Sequence, residues 1–422
     1  MTAQSPVTTG SPATAGPPGT AGSAGTTGPP GTTGSLLDRV SCAPLAPYQS
    51  AVVRIGIAAT WLFFLLRHWP ERHALYGPDA PWSQELLNAS RAAPGADGFC
   101  ALLWSDSGLW LEIFYGVAVV SALAMLLGLR TRTATVLVAL CMMSLHHRNE
   151  FVTNAGDRVF HLVALYLVFT RCAAVWSLDA RRARKERPQG SWAARDPAGM
   201  VLWVLLGAAL GHLAVQQLIT LAWVLALGAV WVAHAVAWAL RVLAPPQPRA
   251  TADRMANVLH AGGLGALMAQ VCVVYASAGW WKITGTTWQD GTAVHYPLGI
   301  DFLSPWPELS QALAGQQALV LLLTYGTVVV QVAFPFALLN RHAKNVLLVL
   351  MAAEHLGIAV LMGLPYFSLV MLSADAVFLP TVLLVRGSKM TSNRPEFVPQ
   401  EQNSTGVPEA PEPDLVAPST HN

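Results

Sequence analysis

A single lysine at the end of a long apolar run is the residue of this chain best placed to do chemistry. The run begins near Met255, and Lys282 follows it directly after Trp280 and Trp281. A lysine at the end of such a run can anchor the chain by extending its amine to the lipid headgroups. It can also act as a base, because apolar surroundings favour the uncharged amine. The sequence leaves both interpretations open.

The composition indicates what kind of protein holds this lysine. Of the 422 residues, 53% are hydrophobic and only 11% are charged, and the mean hydropathy is +0.44. Such a chain is too apolar for a soluble domain, so we predict a polytopic membrane protein. The net charge of +2 gives no reason to expect nucleic acid as a partner. The five cysteines show no metal-ligand spacing, so we expect neither a metal site nor a disulfide framework.

Apolar runs of membrane-spanning length follow one another along the chain. A helix needs about 20 residues to cross the hydrocarbon core, and about ten runs approach that length. We therefore predict an all-α fold, a polytopic membrane helical bundle with about ten transmembrane helices. The predicted spans are 48–66, 108–127, 131–147, 158–176, 199–217, 221–241, 256–281, 317–339, 345–364 and 367–385.

The composition changes at both ends of this region. Residues 1–45 are rich in Gly, Pro, Thr, Ser and Ala, and residues 387–422 are rich in Pro, Glu, Ser and Asn. Segments of this kind bury too little apolar surface to offset their chain entropy, so we predict two disordered tails. Residues 46–386 form the predicted transmembrane domain. Within it, 199–241 is the least secure part, and we interpret it as an inserted helical pair.

Basic residues indicate the orientation in the membrane. Cytoplasmic loops are enriched in Lys and Arg, and a cytoplasmic N-terminus places nearly all the basic loop residues on that side. We therefore predict a multi-pass protein of the cell membrane with both termini in the cytoplasm. The long connections 67–107 and 283–316 then lie outside, together with the short turn 148–157. These basic residues are Arg130, Arg132, the cluster 181–187, Arg249, Arg254, Arg341, Lys344, Arg386 and Lys389.

A dense group of polar residues connects the third and fourth predicted spans. A helix–turn–helix connection needs only a glycine and a capping residue, which Gly156 and Asp157 can supply. The additional histidines and arginine exceed that need, so the hairpin is either purely structural or part of a binding site. Its candidate residues are His147, Arg148, Asn149, Asn154, Asp157 and His161.

The ninth predicted span carries Glu354 and His355 near its middle, and the tenth predicted span carries Asp375. A carboxylate at that depth costs at least ~2.5 kcal/mol on insertion scales, so it must be paired, hydrated or protonated. It can pair with a neighbouring helix to fix packing. Alternatively, it belongs to a polar pocket around Lys282.

Three segments resemble the horizontally transferred transmembrane (HTTM) domain family, which includes the vitamin K-dependent gamma-carboxylases. The most specific runs from Val274 to Lys282, with Trp288–Gly291 after it. The others are Arg148–Asp157 leading to the sequence Trp-Ser-Leu-Asp at 176–179, and His355 followed by residues 364–372. The likeness covers roughly residues 48–385.

This resemblance implies a function for the lysine. In the carboxylases the matching lysine is the base that starts oxygenation of vitamin K hydroquinone. The strong base so formed removes a γ-proton from glutamate, and CO2 adds there. By this resemblance Lys282 is the candidate base, with His355 and Glu354 as further catalytic residues. Tyr275, Trp281 and Trp288 then join the hairpin residues as substrate-binding candidates, and the expected co-substrate is a reduced quinone.

Two other classes of function stay open. Sporulation-delaying protein B-like members of the same family indicate a non-catalytic membrane factor for peptide maturation, export or immunity. Such a factor would bind a peptide or a partner helix in the same pocket. A transporter would be expected to show repeated halves with broken helices, and no internal repeat of that kind is visible. Membrane lipids are the expected partners in every case, and the sequence does not indicate an oligomeric state.

Overall fold

The computed structural model describes residues 40–91, 99–152, 155–185, 197–243 and 245–391. In these parts the chain is helical and has no β-strand, which confirms the predicted all-α class. The main helices are α1 (Pro47–Arg67), α2 (Gly108–Leu127), α3 (Thr131–Arg148), α4 (Ala155–Phe169), α5 (Pro197–Val215), α6 (Leu221–Leu243), α7 (Pro246–Thr284), α8 (Gln317–Ala337), α9 (Arg341–Leu361), α10 (Pro365–Asp375) and α11 (Thr381–Thr391). Shorter helices in the connections are Arg72–Tyr76, Gln84–Arg91, Ala101–Trp104, Glu150–Val152, Leu178–Lys185, Thr286–Gln289, His295–Leu298, Asp301–Leu303, Pro307–Ala314 and Ala376–Phe378.

Six of these helices are long and apolar enough to cross a membrane: α1, α2, α6, α7, α8 and α9. They indicate an integral membrane protein. The other four predicted spans are also helical. Helix α3 is less apolar because it ends in two histidines and an arginine, and α4 is shorter than predicted. Helix α5 has the predicted length, but its apolar part, Gly199–Val215, is shorter than a full membrane span. The last predicted span is divided into α10, a short 3-10 turn and α11, with Pro380 before α11.

Helix α10 lies at the centre of the bundle, although it has only 11 residues. It packs against α1, α4, α7 and α9, and most of its side chains from Ser368 to Asp375 are buried. Around it, neighbouring helices pack in the order α1, α2, α3, α4, α7, α8 and α9. The α5–α6 pair, which corresponds to the predicted insertion, packs internally and against α7 through α6. The apolar part of α6 remains outside the core.

A buried arginine fixes the turn between α2 and α3. The guanidinium of Arg54 donates to the carbonyls of Met125, Leu126 and Trp176 at 2.7, 3.2 and 2.7 Å. It thereby satisfies carbonyls at the C-terminal end of α2, which have no partner within the helix. Gly128 follows at a φ of 66°, and a Cβ there would lie 2.6 Å from an Arg54 nitrogen. The close approach of the arginine therefore requires glycine.

The sequence Trp-Ser-Leu-Asp at 176–179 also has a structural explanation. Asp179 accepts hydrogen bonds from the backbone N–H groups of Arg130 and Thr131 at 3.0 and 2.9 Å and from the Thr131 hydroxyl at 2.8 Å. A carboxylate at the start of α3 satisfies N–H groups that have no partner within the helix. This segment therefore fixes the connection after α4 to the start of α3.

Most of both predicted tails, residues 1–39 and 392–422, lies outside the described residues. The described remainder of the N-terminal segment is held by α7. Asn257 donates to the carbonyl of Ser41 at 2.8 Å, and His260 lies 2.6 Å from the carbonyl of Leu45. Residues 387–391 continue α11.

Candidate functional site

One face of α7 carries the residues around which the site is built. Tyr275, Gly279 and Lys282 are four and three residues apart, so they lie on the same side of the helix. Gly279 allows α8 to approach closely, because a Cβ there would lie 2.6 Å from Cγ2 of Val332. Small residues at helix contacts are typical of membrane bundles. The glycine therefore brings α8 within reach of both polar neighbours.

The amine of Lys282 is directed into the bundle. Nζ donates to Oε1 of Gln331 at 2.8 Å, and Gln331 Nε2 donates to Oε1 of Glu354 at 2.5 Å. Three helices, α7, α8 and α9, are joined in this way. Lys282 and Glu354 also lie close enough for their charges to interact. The amine sits 5.0 Å from the centre of the Trp288 ring, where a cation–π contact adds to the attraction.

A second chain of hydrogen bonds begins at Tyr275, which lies two turns before Lys282 on α7. The hydroxyl of Tyr275 donates to Oδ2 of Asp375 at 2.8 Å, and Nε2 of His355 lies 3.0 Å from the same hydroxyl oxygen. The three residues are only 1%, 3% and 2% exposed. Because the single phenolic proton goes to Asp375, the histidine must donate its own Nε2 hydrogen to the tyrosine oxygen. Aromatic rings of Phe334 and Phe367 pack around this chain.

The two chains meet on α9, where Glu354 and His355 are adjacent. Three polar atoms of the two chains are buried and have no hydrogen-bond partner among the described residues: Glu354 Oε2, His355 Nδ1 and Asp375 Oδ1. Buried polar groups are nearly always satisfied by protein, water or a ligand. We call the six residues Tyr275, Lys282, Gln331, Glu354, His355 and Asp375 the polar network.

The tryptophans around Lys282 have different positions. Trp288 lies against the amine, whereas Trp281 is 75% exposed on the outer surface of the bundle. Trp280 is exposed as well. These two rings face the surroundings of the bundle, which for a membrane span is lipid.

The predicted hairpin residues form a second group, and two of them bind backbone. Arg148 is buried and donates to the carbonyls of Trp82 and Gly77 at 2.8 and 2.6 Å. Asn149 donates to the carbonyl of Leu75 at 2.9 Å. These bonds hold the connection between α1 and α2 against the end of α3.

The remaining hairpin candidates lie nearby. The His161 ring lies 4.7 Å from that of His146, which in turn contacts His147 at 5.3 Å. Asp157, half-buried in the first turn of α4, interacts electrostatically with His146. Asn154 lies outside the described residues. In the part of the chain that is described, no three His, Cys, Asp or Glu residues are arranged to hold a metal ion.

Sequence reasoning placed Lys282, Glu354, His355, Tyr275 and Trp288 in one site, and these residues do lie together or in one connected network. It missed Gln331, and it noted Asp375 as a costly residue without assigning it to the site. Gln331 is a lone amide deep in the apolar helix α8, which is the signal that could have revealed it.

Comparisons of the chain with protein-family models, with curated proteins and with solved structures found no match. The chemical interpretation therefore depends on the residues and geometry described above.

Proposed function

We propose that this protein is a multi-pass membrane enzyme that acts on a reduced quinone or a similar isoprenoid lipid, with Lys282 as the base. The observation that carries the proposal is the hydrogen bond from the Lys282 amine to Gln331. The resemblance of residues 274–291 to the gamma-carboxylase motif agrees with it.

The direction of the lysine side chain argues against a simple anchor. Lys282 is close to the C-terminal end of α7, so a snorkelling amine would extend past Thr284 towards the headgroups. Side chains in a helix point towards its N-terminus, which here is the interior of the bundle. The partner Gln331 lies about 20 Å along α8 from the start of that helix. The amine of Lys282 is therefore held inside the bundle and away from the C-terminal end of α7.

The network supplies what proton abstraction requires. A neutral amine at Lys282 takes the proton of a hydroquinone hydroxyl, which leaves an ammonium group and a hydroquinone anion. Glu354, linked to the amine through Gln331, stabilises that ammonium by its charge. The unpartnered atom Glu354 Oε2 is available to hydrogen-bond the substrate. The later oxygen chemistry is supplied by the quinone, as the family resemblance implies.

The exposed aromatic surface of the bundle near the site also agrees with a lipid substrate. Trp280 and Trp281 present exposed indole rings on α7 just before Lys282. Aromatic side chains favour the boundary between hydrocarbon and headgroups, where a quinone ring can stack against them. Entry from the bilayer therefore requires no aqueous channel.

We further propose that α3, α4, α5 and the segment made of α10, the 3-10 turn and the start of α11 cross the membrane together with the six long helices. The ten crossings would place both termini in the cytoplasm, in agreement with the distribution of Lys and Arg. Phe302 and Leu339 are 87% and 93% exposed and lie in connections on opposite sides in this topology. In a variant without native cysteines, Phe302→Cys should react with an impermeant thiol reagent on intact cells. Leu339→Cys should react only after permeabilisation, and the reverse pattern would overturn the topology.

Purified protein in lipid nanodiscs tests the enzymatic function directly. A series of reduced quinones is supplied in the presence of oxygen and CO2, and oxygen uptake is measured together with mass spectra of the lipids. Lys282→Ala and Lys282→Arg should both lower the rate by about 10²–10⁴-fold, as expected for loss of a general base. Lys344→Ala is the matched control, because Lys344 donates only to the carbonyl of Phe378. Full activity of both Lys282 variants would overturn the proposal.

The charge balance between Lys282 and Glu354 favours a second candidate, a non-catalytic factor that binds a peptide or partner helix. In that case the ammonium serves packing and recognition only. Lys282→Arg separates the two candidates because arginine keeps the charge but cannot act as a base. A cellular phenotype of the gene that survives Lys282→Arg but not Lys282→Ala would support the factor and contradict the enzyme.

A further inference from the structure

Asp375, Tyr275 and His355 form a continuous chain of hydrogen bonds in the middle of the bundle, and proton abstraction by Lys282 does not use it. The chain connects α10, α7 and α9. All three side chains are almost completely buried. Titratable residues at such a depth are costly, and they commonly mark proton or ion pathways in membrane proteins.

Another buried tyrosine shows what packing alone requires. Tyr115 of α2 is also fully buried, and its hydroxyl donates to the backbone carbonyl of Leu65 at 2.9 Å. A backbone partner satisfies the hydroxyl without any titratable group. Tyr275 instead bridges a carboxyl and an imidazole, which are the two groups that can accept and release a proton at its ends.

We propose that these three residues are a proton relay that serves the Lys282 site. A proton that reaches Nδ1 of His355 allows the Nε2 hydrogen to move to the Tyr275 oxygen. The phenolic hydrogen moves at the same time to Oδ2 of Asp375. One proton is transferred in total, no electron changes place, and His355 returns to the neutral form with its hydrogen on Nδ1. The reverse sequence returns the proton.

The position of the relay fits this task. His355 Nδ1, the entry atom, is buried without a partner, and His355 adjoins Glu354 of the Lys282 chain. Lys282 is close enough to His355 for an electrostatic interaction. The relay would take the proton that Lys282 removes from its substrate and hold it on Asp375, which restores the neutral amine. The reverse sequence would deliver that proton to the anionic product before the next turnover. This step rests on the proposed function, whereas the proton transfer itself does not.

The first test compares single and multiple turnovers of protein reconstituted in nanodiscs with a reduced quinone. Tyr275→Phe keeps the ring and removes the hydroxyl, and Asp375→Asn keeps an acceptor for that hydroxyl but cannot take up the proton. Both variants should lose about tenfold or more in the steady-state rate, and Asp375→Asn, which changes no substrate-binding candidate, should retain the first turnover. Tyr115→Phe is the matched control and should retain both rates. Unchanged steady-state rates in Tyr275→Phe and Asp375→Asn would overturn the relay.

The second test needs no enzymatic activity. In protein labelled with ¹⁵N-histidine, hydrogen–deuterium exchange at Nε2 of His355 is followed by NMR and assigned from its loss in His355→Gln. A relay carries deuterium inwards without unfolding, so exchange should slow by about tenfold in Tyr275→Phe and remain unchanged in Tyr115→Phe. Asp375→Asn provides the same comparison if Tyr275→Phe does not fold.

The two tests separate the two proposals. If no quinone reacts but exchange at His355 depends on Tyr275, the proposed enzymatic function is overturned and the relay is supported. If turnover depends on Tyr275 but exchange at His355 does not, Tyr275 contacts the substrate and the relay is overturned.

Discussion

Gly279 of α7 lies so close to Val332 of α8 that a Cβ on the glycine would be 2.6 Å from Val332 Cγ2 and 3.3 Å from its backbone nitrogen. Gln331, the residue before Val332, carries the amide that binds Lys282. The hydrogen bond therefore depends on how closely two backbones approach. Gly279 is a structural requirement of the polar network although it has no polar side chain.

Gly279→Ala should separate α7 from α8 and weaken the polar network. Overpacking of a close contact costs about 1–3 kcal/mol, so the unfolding temperature in detergent should fall. The Lys282-dependent reaction should fall as well. Gly265→Ala is the control, because Gly265 is on the same helix and a Cβ there meets nothing within 4 Å. Equal unfolding temperatures for the two variants would contradict this account.

Arg54→Met should destabilise the protein more than most single substitutions. The change removes the donor for the carbonyls of Met125 and Leu126 at the end of α2 and for that of Trp176 in the connection after α4. Buried carbonyls that lose a hydrogen-bond donor are costly. We therefore expect the free energy of unfolding to fall by on the order of 3 kcal/mol. Thermal unfolding followed by size-exclusion chromatography in detergent measures the change.

Arg67→Met is the control for this prediction, because Arg67 is an exposed arginine of the same helix. It should change the stability by no more than about 0.5 kcal/mol. A similar loss in both variants would mean that the general charge of α1 matters rather than the buried contacts of Arg54.

The sequence predicted the helices well because each apolar run carries its own signal. Tyr275 and Lys282 lie on one face of α7 because a spacing of seven residues is two turns. The sequence could not predict that Gln331 lies between Lys282 and Glu354, because contacts between helices depend on packing that no single segment encodes. The same limit applies to Asp375, whose depth was evident but whose partner was not.

For Arg148 and Asn149 the polar cluster was evident in the sequence, but its role was not. A cluster of polar residues between two spans has the same appearance whether it binds a ligand or the protein backbone. In the structure both side chains bind carbonyls of residues 75–82. The partners lie about 70 positions earlier in the chain, in a connection whose path the sequence does not reveal.

Arg148→Lys should loosen the connection between α1 and α2. Lysine keeps the charge, but a single ammonium cannot reach two carbonyls in the fork geometry of a guanidinium. Limited proteolysis of the purified protein in detergent should therefore cut residues 75–82 about tenfold faster, because local opening exposes the backbone. Arg158→Lys is the control, since Arg158 is an exposed arginine of α4. Unchanged proteolysis combined with weaker substrate binding would instead favour the predicted binding role of Arg148.

The link between Lys282 and Glu354 should appear as a coupling energy in a double-mutant cycle. Lys282→Met leaves the Glu354 carboxyl, and Glu354→Gln leaves the Lys282 amine, without the group to which Gln331 links it, whereas the double variant removes both groups. The double variant should therefore be more stable than the sum of the single losses predicts, by about 0.5–3 kcal/mol. Unfolding of the four proteins in the same detergent gives this difference.

Lys344→Met with Glu354→Gln is the control pair, because Lys344 binds a backbone carbonyl near α11. The stability losses of these two variants should simply add. Strict additivity in the Lys282 pair would mean that Gln331 does not transmit the interaction, and that the ammonium and the carboxylate act independently.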